Sequence, residues 1–285
     1  MIFASEVPVI AKLNRYRNIE DVFYAAWKRV DPAQVARMER QLAVLSPEEK
    51  MEHIIEEAGA KDIATKAIKQ SSTLSHGAEL NRVAKSLAHE IRRLPDVTVE
   101  TKDQLVSHFT SELQKDYGAR SEAKAIGHYE SVQKERVRDN NNKFYKLFLG
   151  AVGSTDVFVG GRVDGLNSRG RVVEVKNRMK RFFDPLPSYD VAQLQTYLQI
   201  LDCNEGELIE HLRRKNELET HSTIIQRDDE IWDEKLKPSM LDFASALEVF
   251  MYDEKLQRQF LQEKDGNERL KIIQSIDTDS SRGIR

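Results

Sequence analysis

Apolar residues recur at helical spacing through the first 117 residues and are separated by short polar breaks. The spacing predicts a helix over 19–30, and Ser46-Pro47-Glu48-Glu49 has the form of a capping box that opens another. Further amphipathic helices are predicted over 80–93 and 101–117. Since no catalytic spacing is found in this stretch, residues 1–117 are predicted to form a helical N-terminal region.

A new helix is predicted to begin at Gly118, and it carries a carboxylate on its apolar stripe. Ala125, Ile126 and Tyr129 follow Glu122 three, four and seven residues later. This spacing places Glu122 on the inward face of the helix.

The stretch 157–178 predicts a β-hairpin, because two β-rich runs are joined by the turn-forming Asn167-Ser168-Arg169-Gly170. Asp164 is predicted at the end of the first strand. Glu174 and Lys176 lie two residues apart in the second strand, so alternation points both to the same face. Val173 and Val175 point to the opposite layer.

The chain after the hairpin predicts a helix over 189–201, on which Gln193 shares a stripe with Tyr197. Two strands (207–212 and 221–226) and a helix (241–260) follow. The predicted fold class is α/β (α+β), with a small mixed sheet flanked by the Glu122 and Gln193 helices. The predicted division is 1–117 helical region, 118–263 core and 264–285 polar tail.

Composition sets broad limits on the class of protein. The 285 residues include 32% charged and 40% hydrophobic residues, and the formal net charge is −3. No apolar run approaches the ~20 residues of a membrane helix, and the N-terminal stretch lacks the apolar core of a secretion signal. One cysteine, Cys203, suits a reducing compartment. We expect an intracellular protein, in cytoplasm or nucleus, of cellular, phage or viral source.

The polar residues around the hairpin suit a divalent cation. Mg²⁺ and Mn²⁺ prefer oxygen ligands, which Asp164, Glu174 and the main-chain carbonyl of Val175 offer. Glu122 would complete the cage or bridge to a second ion, so one or two ions are expected. Lys176 would polarise the attacking water or stabilise charge in the transition state of phosphodiester hydrolysis.

The simpler alternative is that Glu174 and Lys176 form an exposed ion pair on a strand, which contributes ~0–1 kcal/mol. Two polar residues on inward stripes argue for a shared site. Glu122 and Gln193 must each find a partner, because an unpaired buried polar atom costs about 1–3 kcal/mol.

Basic residues surround the predicted site. Arg162, Arg178, Lys180 and Arg181 form a solvated face or a track for a phosphate backbone. Phe182 and Phe183 follow them and are expected to pack in the core, the alternative being stacking on a base.

An ordered set of short motifs resembles the PD-(D/E)XK nucleases, and among them the phage lambda exonuclease and YqaJ group. The motifs are Gly118-x3-Glu122-x2-Ala125, Asp164-Gly165-Leu166, Glu174-Val175-Lys176 and Ala192-Gln193-Leu194-Gln195. The resemblance covers about half of the chain by its motifs, and residues 31–117 have no counterpart in it.

The resemblance implies a restriction-endonuclease-like core and a metal-dependent deoxyribonuclease, namely a 5′-to-3′ exonuclease on linear duplex DNA of the recombination, repair or replication type. It implies that Gln193 orients Lys176 or the water. It also implies that Ser5 binds a 5′-phosphate, which would place residues 5–30 at the DNA end, whereas helix capping by Ser5 is the plain alternative. A RecB-type endonuclease or single-strand nuclease, and a DNA-binding scaffold that no longer cuts, remain open. Implied partners are DNA, a single-strand-annealing or recombination protein, and further copies of the chain.

Overall fold

The computed structural model describes residues 1–74, 77–138, 142–214 and 217–276. The strands are β1 Ile2–Phe3, β2 Val137–Arg138, β3 Phe144–Val152, β4 Thr155–Arg162, β5 Gly165–Asn167, β6 Val172–Arg178, β7 Glu205–Arg214 and β8 Glu217–Gln226. The helices are α1 Val7–Ile10, α2 Ile19–Val30, α3 Pro32–Leu42, α4 Pro47–Glu57, α5 Lys61–Ser72, α6 Gly77–Arg92, α7 Val99–Gln133, α8 Ser188–Leu201, α9 Asp229–Ile231, α10 Lys237–Tyr252, α11 Glu254–Gln262 and α12 Gly266–Gln274. A π-helical turn, Trp232–Leu236, links α9 to α10.

The larger sheet carries the predicted hairpin at its centre. Within the described residues it has five strands in the order β2-β5-β6-β7-β8, and β6 runs parallel to β7 while the other neighbours are antiparallel. The side-chain oxygen of Asn167 accepts the N–H groups of Arg169 and Arg171, and Gly170 takes a φ of +79°. The hairpin between β5 and β6 is therefore confirmed.

Helices cover this sheet on both faces, as the sequence predicts. Ala125 and Tyr129 of α7 pack in one cluster with Val175 of β6, while Leu194 of α8 packs in another with Val172. The helix α8 also forms the crossover between the parallel strands β6 and β7. The mixed α+β class is confirmed.

The first run of the predicted hairpin is divided between two sheets. β4 ends at Arg162 and lies between β1 and β3 in a three-stranded sheet, whereas β5 begins at Gly165 in the larger one. Val163 is fully buried beside α8, and the Asp164 side chain accepts the N–H of Val175 at 2.7 Å where a strand partner would otherwise do so. A single strand ending at Asp164 was therefore the wrong prediction.

The N-terminal helices are shared between two hydrophobic cores. α1, α2 and α3 pack with α10 and α11 in the largest core, where Phe23, Trp27 and Phe250 meet edge to face. α4, α5 and α6 pack with the first half of α7 in a second core, which includes Leu87 and Phe109. The predicted helical region 1–117 thus contributes to both.

Helix α7 continues through Gly118, where the sequence predicts a new helix. Tyr117 is buried in the core of the N-terminal helices and Ala125 in the core of the larger sheet. Packing at both ends outweighs the roughly 1 kcal/mol that one glycine costs inside a helix. The predicted boundary between residues 117 and 118 lies inside this helix, and the division into domains stays a prediction.

The C-terminal helix predicted over 241–260 is two helices. The Asp253 carboxylate accepts the N–H of Leu256 at 3.0 Å and so starts α11. The predicted polar tail contains α12, capped by Asp265, and residues 277–285 of that tail lie outside the described residues. None of the described helices is long and apolar enough to cross a membrane.

Candidate functional site

The site is built where the two sheets meet, at the two residues that separate β4 from β5. Asp164 is half-buried there, and its Oδ2 accepts the Val175 N–H at 2.7 Å. In a strand, the N–H and C=O of one residue point to the same edge. The Val175 carbonyl therefore lies at the same edge of the strand as the Asp164 carboxylate.

Glu174, Lys176 and Gln193 form a contiguous polar cluster. Glu174 and Lys176 alternate with buried valines on β6, and Gln193 reaches them from α8. The Lys176 ammonium donates to Glu174 Oε1 at 2.8 Å and to Gln193 Oε1 at 3.0 Å. Since Glu174 is 3% exposed, the pair is not the solvent-exposed ion pair of the simpler alternative.

Negative charge prevails around Asp164. Burial raises the pKa of the Asp164 carboxyl well above its ordinary value, and the charges of Glu174 and Glu122 raise it further. The hydrogen bond from Val175 and the charge of Lys176 oppose this rise without cancelling it. Glu122 on α7 thus lies near enough for its charge to act on Asp164, and the arrangement favours an added cation.

Lys176 is an ammonium in this setting. Burial alone would lower its pKa, but the carboxylates of Glu174 and Asp190 outweigh that effect and the pKa is raised. Both roles that the sequence suggests for Lys176, polarising the attacking water and stabilising negative charge, are compatible with a protonated amine, whereas abstracting a proton is not.

Asp190 and Glu210 are buried residues that the sequence reasoning missed. Asp190 lies 3.5 Å from the Lys176 ammonium and 2.8 Å from the Arg178 guanidinium. Glu210 lies 2.6 Å from Arg178. One signal was available, because Asp190 precedes Gln193 by three residues and so shares its helix face. Glu210 gives no local signal.

The prediction that Arg178 binds phosphate does not fit these contacts. Its side chain is 9% exposed and is held by Asp190 and Glu210. A guanidinium clamped by two buried carboxylates is not free to bind DNA. The sequence groups Arg178 with the exposed basic residues, because its two carboxylate partners come from α8 and β7, which are distant in the chain.

Ser5 and Arg162 meet in a small cleft beside the cluster. The cleft has a volume of about 240 Å³ and is lined by Phe3, Ala4, Ser5, Phe144, Gly161, Arg162 and Tyr197. Both predicted phosphate ligands are exposed, and Arg17 donates to the main-chain oxygen of Ser5 at 3.4 Å. The N-cap of α1 is Glu6, so the capping alternative for Ser5 was wrong.

The loop after β6 carries the other predicted basic residues. Lys180 and Arg181 are exposed, and the Arg181 guanidinium lies over the Phe183 ring at 5.4 Å. Phe182 and Phe183 are half-buried, and Phe182 contacts the His221 ring at 5.8 Å. Both rings pack on neighbouring side chains, but neither belongs to a hydrophobic core of the described residues, so the prediction that they pack in the core was wrong.

The donor set suits a hard cation, although its side chains are not gathered as ligands. Within the described part of the chain, no three His, Cys, Asp or Glu side chains are placed to hold a metal. Lys176 occupies Glu174 Oε1 and Val175 occupies Asp164 Oδ2. Oxygen donors and an excess of negative charge nevertheless fit Mg²⁺ or Mn²⁺.

No family model and no curated protein match this sequence. Among solved structures, an alkaline exonuclease (LHK-Exo) from Laribacter hongkongensis is 16% identical over 68% of this chain and 91% of its own, with a TM-score of 0.40. LHK-Exo in complex with dAMP is 17% identical over 72% and 97%, with a TM-score of 0.41. The structure of SSO0001 is 14% identical over 68% and 87%, with a TM-score of 0.34. At this distance the named activities belong to those proteins, and the side chains of the site must carry any functional assignment.

Proposed function

We propose that the protein is a metal-dependent deoxyribonuclease that hydrolyses phosphodiester bonds. The observation that supports this best is the junction of the two sheets, where Asp164, Glu174, Lys176 and Gln193 converge. Two carboxylates offer oxygen donors to a hard cation, and a neighbouring ammonium faces the charge of a phosphate. The motif order in the sequence supports the same function.

Asp164, Glu174 and the Val175 carbonyl would hold Mg²⁺ or Mn²⁺, with Glu122 as a further oxygen donor to one or two ions. A bound ion supplies an activated water and neutralises charge on the scissile phosphate. Lys176 then stabilises the negative charge that develops on the phosphate oxygens. Gln193 keeps the Lys176 ammonium turned toward the site through its 3.0 Å hydrogen bond.

The cleft of Ser5 and Arg162 supports a preference for DNA ends. A hydroxyl and an exposed guanidinium in one small cleft suit a terminal phosphate, and Arg162 precedes Asp164 by two residues. Together with the motif resemblance, which implies the polarity, this cleft supports our proposal of a 5′-to-3′ exonuclease on linear duplex DNA. Lys180 and Arg181 would contact the backbone further along, and Arg178 has no direct role in binding DNA.

The motif resemblance also supports a role in DNA recombination or repair inside the cell. A single-strand-annealing or recombination protein is the partner that such a role requires. A homo-oligomer is proposed on the same ground, and light scattering of the purified protein would measure it.

The decisive experiment offers the purified protein linear duplexes with 5′-phosphate or 5′-hydroxyl ends, a single strand and a closed circle, with Mg²⁺ or EDTA. We expect Mg²⁺-dependent loss of nucleotides from linear duplexes, faster with 5′-phosphate. The Asp164→Asn variant should lose cleavage and keep DNA binding, while Asp202→Asn, an exposed aspartate on α8's C-terminal side, should cut normally. Cleavage of the closed circle would identify an endonuclease instead of an exonuclease. Cleavage of the single strand alone would identify a single-strand nuclease. DNA binding without any cleavage would mean that the protein is a DNA-binding scaffold.

A further inference from the structure

A buried ionic network lies directly behind the candidate lysine. Lys176 and Arg178 alternate on β6, Asp190 faces them from α8, and Glu210 faces them from β7 in register with Lys176. Asp190 is 3% exposed and Glu210 is fully buried. Two cations and two carboxylates thus share one layer between a helix and a sheet.

Stability alone does not explain such a network, although removing one member would leave another charge buried and unpaired. Desolvating several charges costs enough that buried ion pairs are often replaceable by apolar side chains without loss. The apolar neighbours Leu194 and Leu208 fill the same layer elsewhere. The presence of a buried charge network beside a candidate site is therefore best explained by a role in that site.

The two oxygens of Asp190 are used separately. Oδ1 lies 3.5 Å from the Lys176 ammonium, and Oδ2 lies 2.8 Å from the Arg178 guanidinium. Arg178 is fixed in turn, because its Nε donates to Glu210 Oε1 at 2.6 Å. The carboxylate of Asp190 therefore cannot rotate away from Lys176 without breaking the contact to Arg178.

We infer that Asp190 is a positioning residue, which together with Gln193 holds the Lys176 ammonium against Glu174 and fixes where its charge acts. Asp190 and Gln193 share one face of α8, three residues apart, and both reach Lys176. Arg178 serves as the clamp on Asp190. The inference rests on the proposed nuclease function, since it gives Lys176 a place in that reaction.

The test compares Asp190→Asn with Glu210→Gln and Asp202→Asn in steady-state cleavage of 5′-phosphorylated duplexes. Supporting groups of this kind contribute about 10- to 100-fold to activity. We expect Asp190→Asn to lower kcat by about that factor with KM nearly unchanged, because Lys176 acts on the reacting phosphate and not on DNA binding. Glu210→Gln, one contact further away, should lose less kcat for a similar fall in melting temperature. Asp202→Asn should match the wild type.

A second readout does not depend on activity. The ¹H–¹⁵N signal of the Lys176 ammonium, assigned with Lys176→Arg, should be seen in the wild type and in Asp202→Asn. It should shift or broaden in Asp190→Asn. An unchanged signal, or kcat losses that only follow the melting temperatures of the two network variants, would overturn the positioning role. A wild type that does not cut DNA, but whose signal responds as expected, would overturn the nuclease proposal and leave the positioning role standing.

Discussion

Replacing Asp164 with asparagine removes a half-buried negative charge and preserves the shape of the side chain. The asparagine oxygen can still accept the Val175 N–H, which Asp164 accepts at 2.7 Å. In the folded protein the pKa of Asp164 is raised by burial and by the charges of Glu174 and Glu122. In the unfolded chain the Asp164 carboxyl has its ordinary pKa. The free energy of unfolding therefore falls as the pH rises from the ordinary pKa to the raised one, and the full loss of stability is present above the raised pKa.

The expected change in the free energy of unfolding follows from removing this unfavourable charge. Substitutions that improve the balance of charges commonly stabilise a protein by about 0.5–2 kcal/mol. A change of 1 kcal/mol corresponds to about 2–4 °C in melting temperature for a chain of roughly this size. In EDTA above neutral pH, Asp164→Asn should therefore melt several degrees above the wild type. Added Mg²⁺ should stabilise the wild type, by about 2.7 kcal/mol at a hundredfold excess over Kd, and the variant much less. The order of the two melting temperatures should then reverse.

Asp202→Asn is the matched control. The side chain of Asp202 is 92% exposed, so its replacement should change stability by no more than about 0.5 kcal/mol. An Asp164→Asn variant that melts below the wild type in EDTA would refute the excess of negative charge. Equal stabilisation of both proteins by Mg²⁺ would show that the ion binds elsewhere.

Three further predictions concern the cleft and its junction with the site. Arg162→Ala should weaken binding of 5′-phosphorylated ends about tenfold and leave 5′-hydroxyl ends unchanged, because a charge-assisted contact to phosphate is lost; equal losses in anisotropy titrations would contradict this. Gly161→Ala should lower the melting temperature by an amount that corresponds to about 1–3 kcal/mol, because a Cβ there would lie 2.9 Å from the Tyr197 hydroxyl. In EDTA, Asp164→Asn should bind 5′-phosphorylated ends a few-fold more tightly than the wild type, since one repulsive charge of up to about 1 kcal/mol is removed. Equal affinity of the wild type and the variant would show that the charge of Asp164 does not act on a phosphate in the cleft.

Local patterns in the sequence were enough to predict the centre of the fold. Alternation on β6 placed Glu174 and Lys176 on one face, and the structure puts both in contact with each other. The helical stripes placed Glu122 and Gln193 on the two helices that flank the hairpin. Each of these inferences uses residues within a few positions of one another, where the geometry of a helix or strand decides the outcome.

Features that depend on distant residues could not be predicted in this way. Arg178 looks like one more surface cation until Asp190 and Glu210 are brought to it by α8 and β7. The separation of β4 from β5 at Asp164 depends on a hydrogen bond from the N–H of Val175, which lies eleven residues later in the chain. Gly118 marks a helix boundary by its local signal, but contacts at both ends of α7 override it.

The position of the carboxylates bears on whether the protein cuts DNA or only holds it. A scaffold gains affinity for DNA from lysine and arginine, and carboxylates near a phosphate oppose that affinity. Burial and the charges of Glu174 and Asp164 raise the pKa of Tyr197, which lines the cleft of Ser5 and Arg162, so a phosphate seated in this cleft lies near carboxylates. Binding at the cleft and hydrolysis at the junction would then both depend on a cation that offsets this charge. A scaffold that does not cut would have to bind DNA on another face, and its affinity would not change when Asp164 becomes asparagine.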